Sequence, residues 1–467
     1  MKTNIEAETN REVHPEKETE NLRLMAEAPI PTAILRLAVP TVFSTIISII
    51  YNLTDTYFIG LLDDPVQLGA ISLAFPVFMI LQAVGNMFGH GAPSYISRCL
   101  GAQDYEEARR TSAVSFYSSA TITLVLSLLA IAFLGPILNL LGTSSETVGP
   151  TGNYLRIILQ FAVILTLQTL LPSLLQAEGK AKEAMIGMVI GTVTNIILDP
   201  VMILLLNMGV AGAAWATIIG NFFAVMFYVI VFLRGKIVLS IRPSDFKPSL
   251  RIFREVLKIG ITSTISQVLC SAALILFNNV AAGYGDHVIS AYGVASKMNT
   301  MEFMVVFGYV QGYIPFAGYN YGAGNIKRMT DGLKFTILTG TVICLIFLIP
   351  FTILAPAYMG AFSTKPEIIE IGTQFLHAQA WAVPIMALQN SLMATFRSTG
   401  QATRALIVSL GRQGLFFLPF LYLFNHLWGL SGLLYVQTAS DLATAAVAVL
   451  LGISLIKKLR TPSKQPN

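Results

Sequence analysis

"RGKIVLSIRPSDFKPSLRIFREVLK", residues 234–258, is the longest hydrophilic connection in a chain of 467 residues, and it falls at the middle. On each side of it the sequence divides into six apolar segments, each long enough to cross about 30 Å of hydrocarbon. They are read at 33–58, 66–97, 108–135, 152–175, 183–206 and 211–233, then at 253–284, 287–319, 330–356, 367–395, 403–424 and 430–456. Composition agrees with a membrane protein. Only 12% of residues are charged and the mean hydropathy is +0.67, whereas soluble domains carry about 25% charge.

The net charge of +5 suggests nucleic acid until its distribution is followed. Of the 30 Lys and Arg residues, 27 lie in the N-terminal segment or in the connections 98–110, 176–183, 234–258, 320–334, 397–412 and 457–467, with Arg36. Arg156, Lys297 and Lys365 fall elsewhere. By the positive-inside rule this alternation places both termini in the cytoplasm, so the charge is topological and no nucleic-acid partner is expected. Residues 1–32 are rich in Glu, Lys, Asn and Arg and read as a disordered cytosolic tail without a cleavable signal peptide. Cys99, Cys270 and Cys344 show no CxxC spacing and read as small buried apolar residues.

Across 234–258 the sequence repeats weakly, at an offset of about 221 residues. "GAQDYEEARR" (101–110) matches "GAGNIKRMTD" (322–331), and "LLQAEGKAKEAMIG" (174–187) matches "TFRSTGQATRALIV" (395–408). "LRLAVPTVFST" (35–45) resembles "LKIGITSTISQ" (257–267), and "MGVAGAAW" (208–215) resembles "LWGLSGLLY" (427–435). Six helices per half is an even number, so the halves keep one orientation and are related by an axis along the membrane normal. The expected fold is all-α: twelve transmembrane helices in two pseudo-symmetric six-helix lobes. The lobes are residues 33–235 and 253–456, joined by a cytosolic linker at 236–252 and followed by a cytosolic tail at 457–467.

Ionisable groups inside such spans are costly and point to function. Asp55, in "YNLTDTYFIG" (51–60), lies about 27 Å above Leu37 at 1.5 Å per residue, and Asp199 about 22 Å above Ala184. Thr217 sits about 10 Å below the outer end of its own, inward-running helix by the same rise. All three therefore share a depth in the outer half of the first lobe. Tyr51 and Asp55, and likewise Asn195 and Asp199, share a face at i, i+4. Two carboxylates, an amide and a hydroxyl at one level make either a shared-proton pair or an all-oxygen site for a small hard cation such as Na+.

"YNLTDTYFIG", "GNMFGHGAPSYISRCLGAQD" (85–104), "LLQAEGKAK" (174–182) and "NIILDPVMI" (195–203), in this order on a six-plus-six plan, resemble the multidrug and toxic compound extrusion (MATE) family, most closely its bacterial MepA-like branch. The resemblance covers residues 30–456. It implies a multi-pass efflux antiporter of the bacterial plasma membrane that exchanges inward H+ or Na+ for outward small organic cations, by rocking its two lobes. It implies no cofactor, no resident metal and no obligate protein partner. It carries ion-coupling roles onto Tyr51, Asp55, Asn195, Asp199 and Thr217, and a hinge onto Pro40, where a backbone hydrogen bond is already missing. The family's Na+-coupling branches place an acid in the seventh helix; Gln267, Asn278 and Asn279 stand there instead.

The candidate substrate cavity is Glu302, Gln267, Phe75, Met304, Tyr309 and Tyr313, an acid and an amide among polarisable side chains suited to bulky cations. Lys297, five residues before Glu302, is its alternative partner. A lipid-linked oligosaccharide flippase of related architecture needs cationic groups facing the cavity, and only Lys297 and Arg156 are found near the helices. A polytopic membrane enzyme needs clustered His, Asp or Glu; the five His residues are scattered and no HExxH motif occurs.

Overall fold

The computed structural model describes residues 15–60, 64–235 and 237–460; the side chains of 15–19, 52–53, 55–56, 59–60, 65 and 350–351 lie outside that description. Among the described residues there is no strand. The first half consists of α1 (Pro15–Ala26), α2 (Ile30–Gly60), α3 (Pro65–Gly101), α4 (Tyr105–Ala132), α5 (Leu134–Leu140), α6 (Val148–Gln160), α7 (Ala162–Ala177), α8 (Ala181–Pro200) and α9 (Gly209–Leu233). The second half holds α10 (Leu250–Ala282), α11 (Asp286–Gly322), α12 (Ile326–Ile353), α13 (Ala355–Phe362), α14 (Pro366–Ala380), α15 (Val383–Ser398), α16 (Ala402–Leu410) and α17 (Phe417–Arg460). A π turn follows α8 (Val201–Leu205) and another follows α16 (Gly411–Leu415).

Local chemistry sets several starts. Asp64 caps α3 by accepting from Val66 N at 2.9 Å, with Pro65 in the first turn. Asp104 caps α4 through Glu107 N at 3.1 Å, and Ser249 caps α10 through Ile252 N at 3.2 Å. Each satisfies an amide that the first helical turn leaves free.

The repeat is visible in the backbone. α3, α4, α5, α7 and α8 begin 221 residues before α11, α12, α13, α15 and α16. The connecting turns repeat as well. Asp104 N bonds Cys99 O at 2.9 Å and Asn325 N bonds Asn320 O at 2.8 Å, around left-handed Gln103 (φ 61°) and Gly324 (φ 72°). Lys180 N bonds Leu175 O at 2.9 Å and Gln401 N bonds Phe396 O at 2.8 Å, around Gly179 (φ 84°) and Gly400 (φ 72°). These are Schellman helix ends, whose left-handed residue is ordinarily Gly. The two loop motifs noticed in the sequence are thus the same turn made twice.

Eight helices, counting Ala402–Arg460 as one, are each long and apolar enough to span a bilayer, and α6 with α7, bent by 52°, makes a ninth. α11 has the length but more polar residues, α14 with α15 is a broken span, and Gly429 (φ 56°) divides α17 in two. With these the described helices supply the twelve expected spans. Large apolar side chains such as Leu128, Val268 and Ile346 stand exposed on the outside, as lipid contact requires.

At the end of the molecule bearing the basic connections, the halves touch backbone to backbone. A Cβ on Gly101 would lie 1.9 Å from Tyr319 O, and one on Gly322 would lie 2.0 Å from Arg98 O, so only Gly fits on either side of this pseudo-symmetric crossing of α3 and α11. The Arg98–Glu255 ion pair (2.9 Å) adds a polar tie between α3 and α10.

The N-terminal segment departs from expectation. α1 is a packed helix: Leu22, Leu24 and Met25 are buried. Met25 O accepts from Asn320 Nδ2 (3.1 Å) and Arg328 Nε (3.2 Å), and Arg328 also bonds Ala28 O. The charged average over 1–32 hid three apolar residues with a site to bury them; residues 1–14 lie outside the described set. The connection after α9 is likewise anchored. The buried Glu178 carboxylate accepts from Val238 N (2.8 Å) and Leu239 N (3.1 Å), and Arg109 Nε donates to Val238 O (3.0 Å).

Candidate functional site

Two features stand out, a polar cluster in the first half and a cavity between the halves. The first is a polar cluster where α2, α8 and α9 meet. Gly191 on α8 and Gly220 on α9 bring those helices together: a Cβ on Gly220 would lie 2.6 Å from Gly191 O. One turn further along α8, Asn195 Nδ2 lies 3.3 Å from Asp199 Oδ1 and 3.5 Å from Thr217 Oγ1. Turning the carboxamide over improves both contacts. Nδ2 then donates to Asp199 Oδ2 at 3.0 Å, and Oδ1 accepts from Thr217 N at 3.1 Å, the more favourable assignment. Tyr51 reaches across from α2, its Oη 3.5 Å from Thr217 Oγ1. Asn195 and Asp199 are buried, at 2% and 0% exposure.

Four of the five expected ion-coupling residues are therefore together: Tyr51, Asn195, Asp199 and Thr217. Asp55 lies one helical turn beyond Tyr51 on α2, and its side chain is outside the described set. A buried carboxylate, a carboxamide and two hydroxyls form an oxygen-rich nest. It suits a proton shared over hydrogen-bonded oxygens, or a small hard cation.

Pro40 sits inside α2, which continues through it. Beside it, Thr41 Oγ1 lies 2.7 Å from both Ala38 O and Gly308 O of α11, so its one hydroxyl hydrogen is shared between the two helices. The proline's missing amide therefore coincides with a side-chain bond from the first half to the second.

The second feature is a cavity of about 460 Å³ between α3 on one side and α10, α11, α15 and α16 on the other. Gln267 and Met304, two of the sequence candidates, line it. The other sequence candidates do not. Glu302 is 0% exposed, with both carboxylate oxygens buried and without hydrogen-bond partners. It packs inside the second half, and the exposed Lys297 forms no ion pair with it among the described residues. Tyr309 bonds Thr339, and Tyr313 reaches Met329 O and Thr395 Oγ1, both at 3.3 Å, inside the core. Phe75 is 54% exposed on the outer surface. Each of these corrections has the same cause: residue type and depth were right for a cavity, but the helix face was not known.

Reading the sequence also missed residues. Arg397 and Arg412 belong by sequence to the basic connection 397–412, yet both line the cavity, with His90 and several amides. Arg412 Nε bonds the buried Asp441 at 2.8 Å, and its guanidinium lies 5.1 Å from the Phe303 ring centre. The repeat held the available signal, since Gly191 and Gly220 stand 221 residues before Arg412 and Asp441. A glycine contact replaced by an opposite-charge pair marks two positions that face each other.

The MatE family matches the chain twice, over residues 40–201 and 262–423, once in each half. "Multidrug export protein MepA" of Staphylococcus aureus (strain MRSA252) is 31% identical over 446 residues, 96% of this chain and 98% of that protein. A protein of the same description from Staphylococcus haemolyticus (strain JCSC1435) is 32% identical over 440 residues, 94% of this chain and 97% of its own length. A solved structure described as the outward-facing conformation of a multidrug resistance MATE family transporter of the MOP superfamily is similar with a TM-score of 0.88 at 26% identity. That match covers 94% of this chain and 99% of the other.

Proposed function

The chain belongs to the MatE family, a multi-pass membrane transporter of the multidrug-efflux type and not an enzyme, and from that premise we propose that it is an antiporter whose coupling ion binds in the first half. The observation that carries this reading is the buried Asp199, held by Asn195, with Thr217 and Tyr51 alongside. The coupling ion is H+ or Na+. It enters from outside, because the cluster lies at the end of the bundle away from the basic connections, which stay in the cytoplasm with both termini. The membrane is the bacterial plasma membrane.

The exported compounds are small organic cations. Exchange follows from competition for one negative charge: an acid that serves a cationic drug loses that role when a proton or Na+ neutralises it. Asp199, with Asp55, supplies that charge. The lobes 33–235 and 253–456 rock about the linker 236–252, and α2 changes its bend at Pro40 as the cluster fills. The α3–α11 glycine crossing and the Arg98–Glu255 pair close the cytoplasmic side.

The test is efflux of ethidium from proteoliposomes under separately imposed pH and Na+ gradients. The reading expects one gradient to drive efflux and collapse of that gradient to stop it. Efflux indifferent to both gradients would overturn the antiport, and turnover of ethidium without any gradient would point to an enzyme.

A further inference from the structure

The cavity, lined mainly by the second half, has a polarity opposite to that of the first-half cluster. Its described lining contains two arginines and no acid. The two arginines are not equivalent. Arg412 is paired with Asp441, which is 1% exposed and also accepts from Gln437 Nε2 at 3.1 Å. Arg397 has no carboxylate within ion-pair distance among the described residues, and its Nε is buried without a hydrogen-bond partner. Its backbone is fixed, because Ser94 Oγ donates to Arg397 O.

An unpaired guanidinium in a half-buried cavity is expensive, and a group that neutralises it gains a charge-assisted, often bidentate contact. The neighbours offer that group a body to rest against: Phe303, Phe307, Met304 and Met393 form an apolar wall. The fold does not impose this charge. The residue 221 positions before Arg397 is Gln176, and the one before Arg412 is Gly191, so the same framework is neutral in the first half.

We propose that Arg397 anchors the anionic group, such as a carboxylate, sulfonate or phosphate, of an amphipathic ligand whose apolar body lies against Phe303, Phe307 and Met304. The proposal rests on the antiporter reading above and takes this cavity, which Gln267 and Met304 line, as the place where the exported compound is held. It adds that zwitterions and organic anions belong among the compounds held there, their negative end on the second half and any positive end toward the acids of the first.

Equilibrium binding to purified protein in micelles, without any ion gradient, separates this subsite from the antiport reading. The probe is 1-pyrenebutyrate, compared with its uncharged amide by fluorescence. Wild-type protein should prefer the carboxylate by about tenfold or more. Arg397→Gln should erase that preference and leave amide binding unchanged. Asp441→Asn frees Arg412 and should widen the preference, which keeps the test alive if Arg397→Gln does not fold. Repeating the titration in nanodiscs of phosphatidylcholine with and without phosphatidylglycerol identifies the source of the anion. Arg397-dependent displacement by phosphatidylglycerol supports a lipid headgroup, and no displacement supports a free amphiphile. Equal binding of acid and amide by the wild type, a preference that survives Arg397→Gln, or, where Arg397→Gln does not fold, a preference that Asp441→Asn leaves unmoved, overturns the proposal.

Discussion

The outer halves of the two lobes are built on one backbone plan and filled with opposite chemistry. Where the first half places Asn195 and Asp199 on α8, the residues 221 positions later are Phe416 and Phe420, which stack with ring centres 6.3 Å apart. Around them Phe277, Tyr292, Phe375 and Phe417 form an aromatic core, with Phe277 and Tyr292 only 3.9 Å apart. Nearer the middle the exchange reverses. The Gly191–Gly220 contact of the first half becomes the Arg412–Asp441 ion pair of the second. One half therefore has its ionisable cluster at the outer end of a close helix contact, and the other has its charge in the cavity under an apolar cap. The lesson is that pseudo-symmetry of turns and helix lengths does not extend to chemistry. Among the described residues, the cluster of Tyr51, Asn195, Asp199 and Thr217 in the first half faces no polar counterpart at Phe416 and Phe420 of the second.

Substitutions in the two regions should fail in different ways. The largest effect is expected in the aromatic core: Phe277→Ala opens a cavity in a well-packed site and should lower stability in detergent unfolding by about 3–5 kcal/mol. Coupling-ion affinity, measured on the protein that remains folded, should not change. If that affinity fell as well, the second half would share the ion site and the comparison would break. Next comes Asn195→Ala, which deprives the buried Asp199 of its amide donor, a contact worth about 1.5–3 kcal/mol when the acceptor is charged. The H+ or Na+ concentration at which efflux is half-maximal should shift by about ten- to a hundredfold. The smallest effect is expected from Tyr51→Phe. Its hydroxyl sits at the long distance of 3.5 Å from Thr217, so the loss should be about 0.5–1.5 kcal/mol, a severalfold weakening in the same assay. A Tyr51→Phe effect as large as that of Asn195→Ala would mean that the tyrosine contacts the ion directly.

The architecture was legible because its signals were long or repeated. Twelve apolar runs, charge on alternate connections and two recurring Gly-containing turns survive the loss of every side-chain detail. The first-half cluster was legible for a related reason: depth follows from residue count, and i, i+4 spacing fixes a shared face. What the sequence did not reveal was rotation and packing. Glu302, Tyr309 and Tyr313 have the right types and heights, yet their helix turns them into the core, while Arg397 and Arg412 looked like loop charges and turn into the cavity. α1 escaped notice because Leu22, Leu24 and Met25 are three apolar residues in a charged segment, and only the surface around Asn320 and Arg328 gives them a place to bury.

The claim that coupling resides in the first half is tested most directly by comparing two buried acids, one from each lobe, in the same flux assay. Asp199→Asn and Glu302→Gln each replace a carboxylate by an amide of nearly the same shape, so neither should empty space in the core. In proteoliposomes with an imposed ion gradient, Asp199→Asn should abolish gradient-driven efflux while Glu302→Gln transports at a rate close to wild type. Efflux that persists in Asp199→Asn, or that is lost equally in Glu302→Gln, would contradict the account.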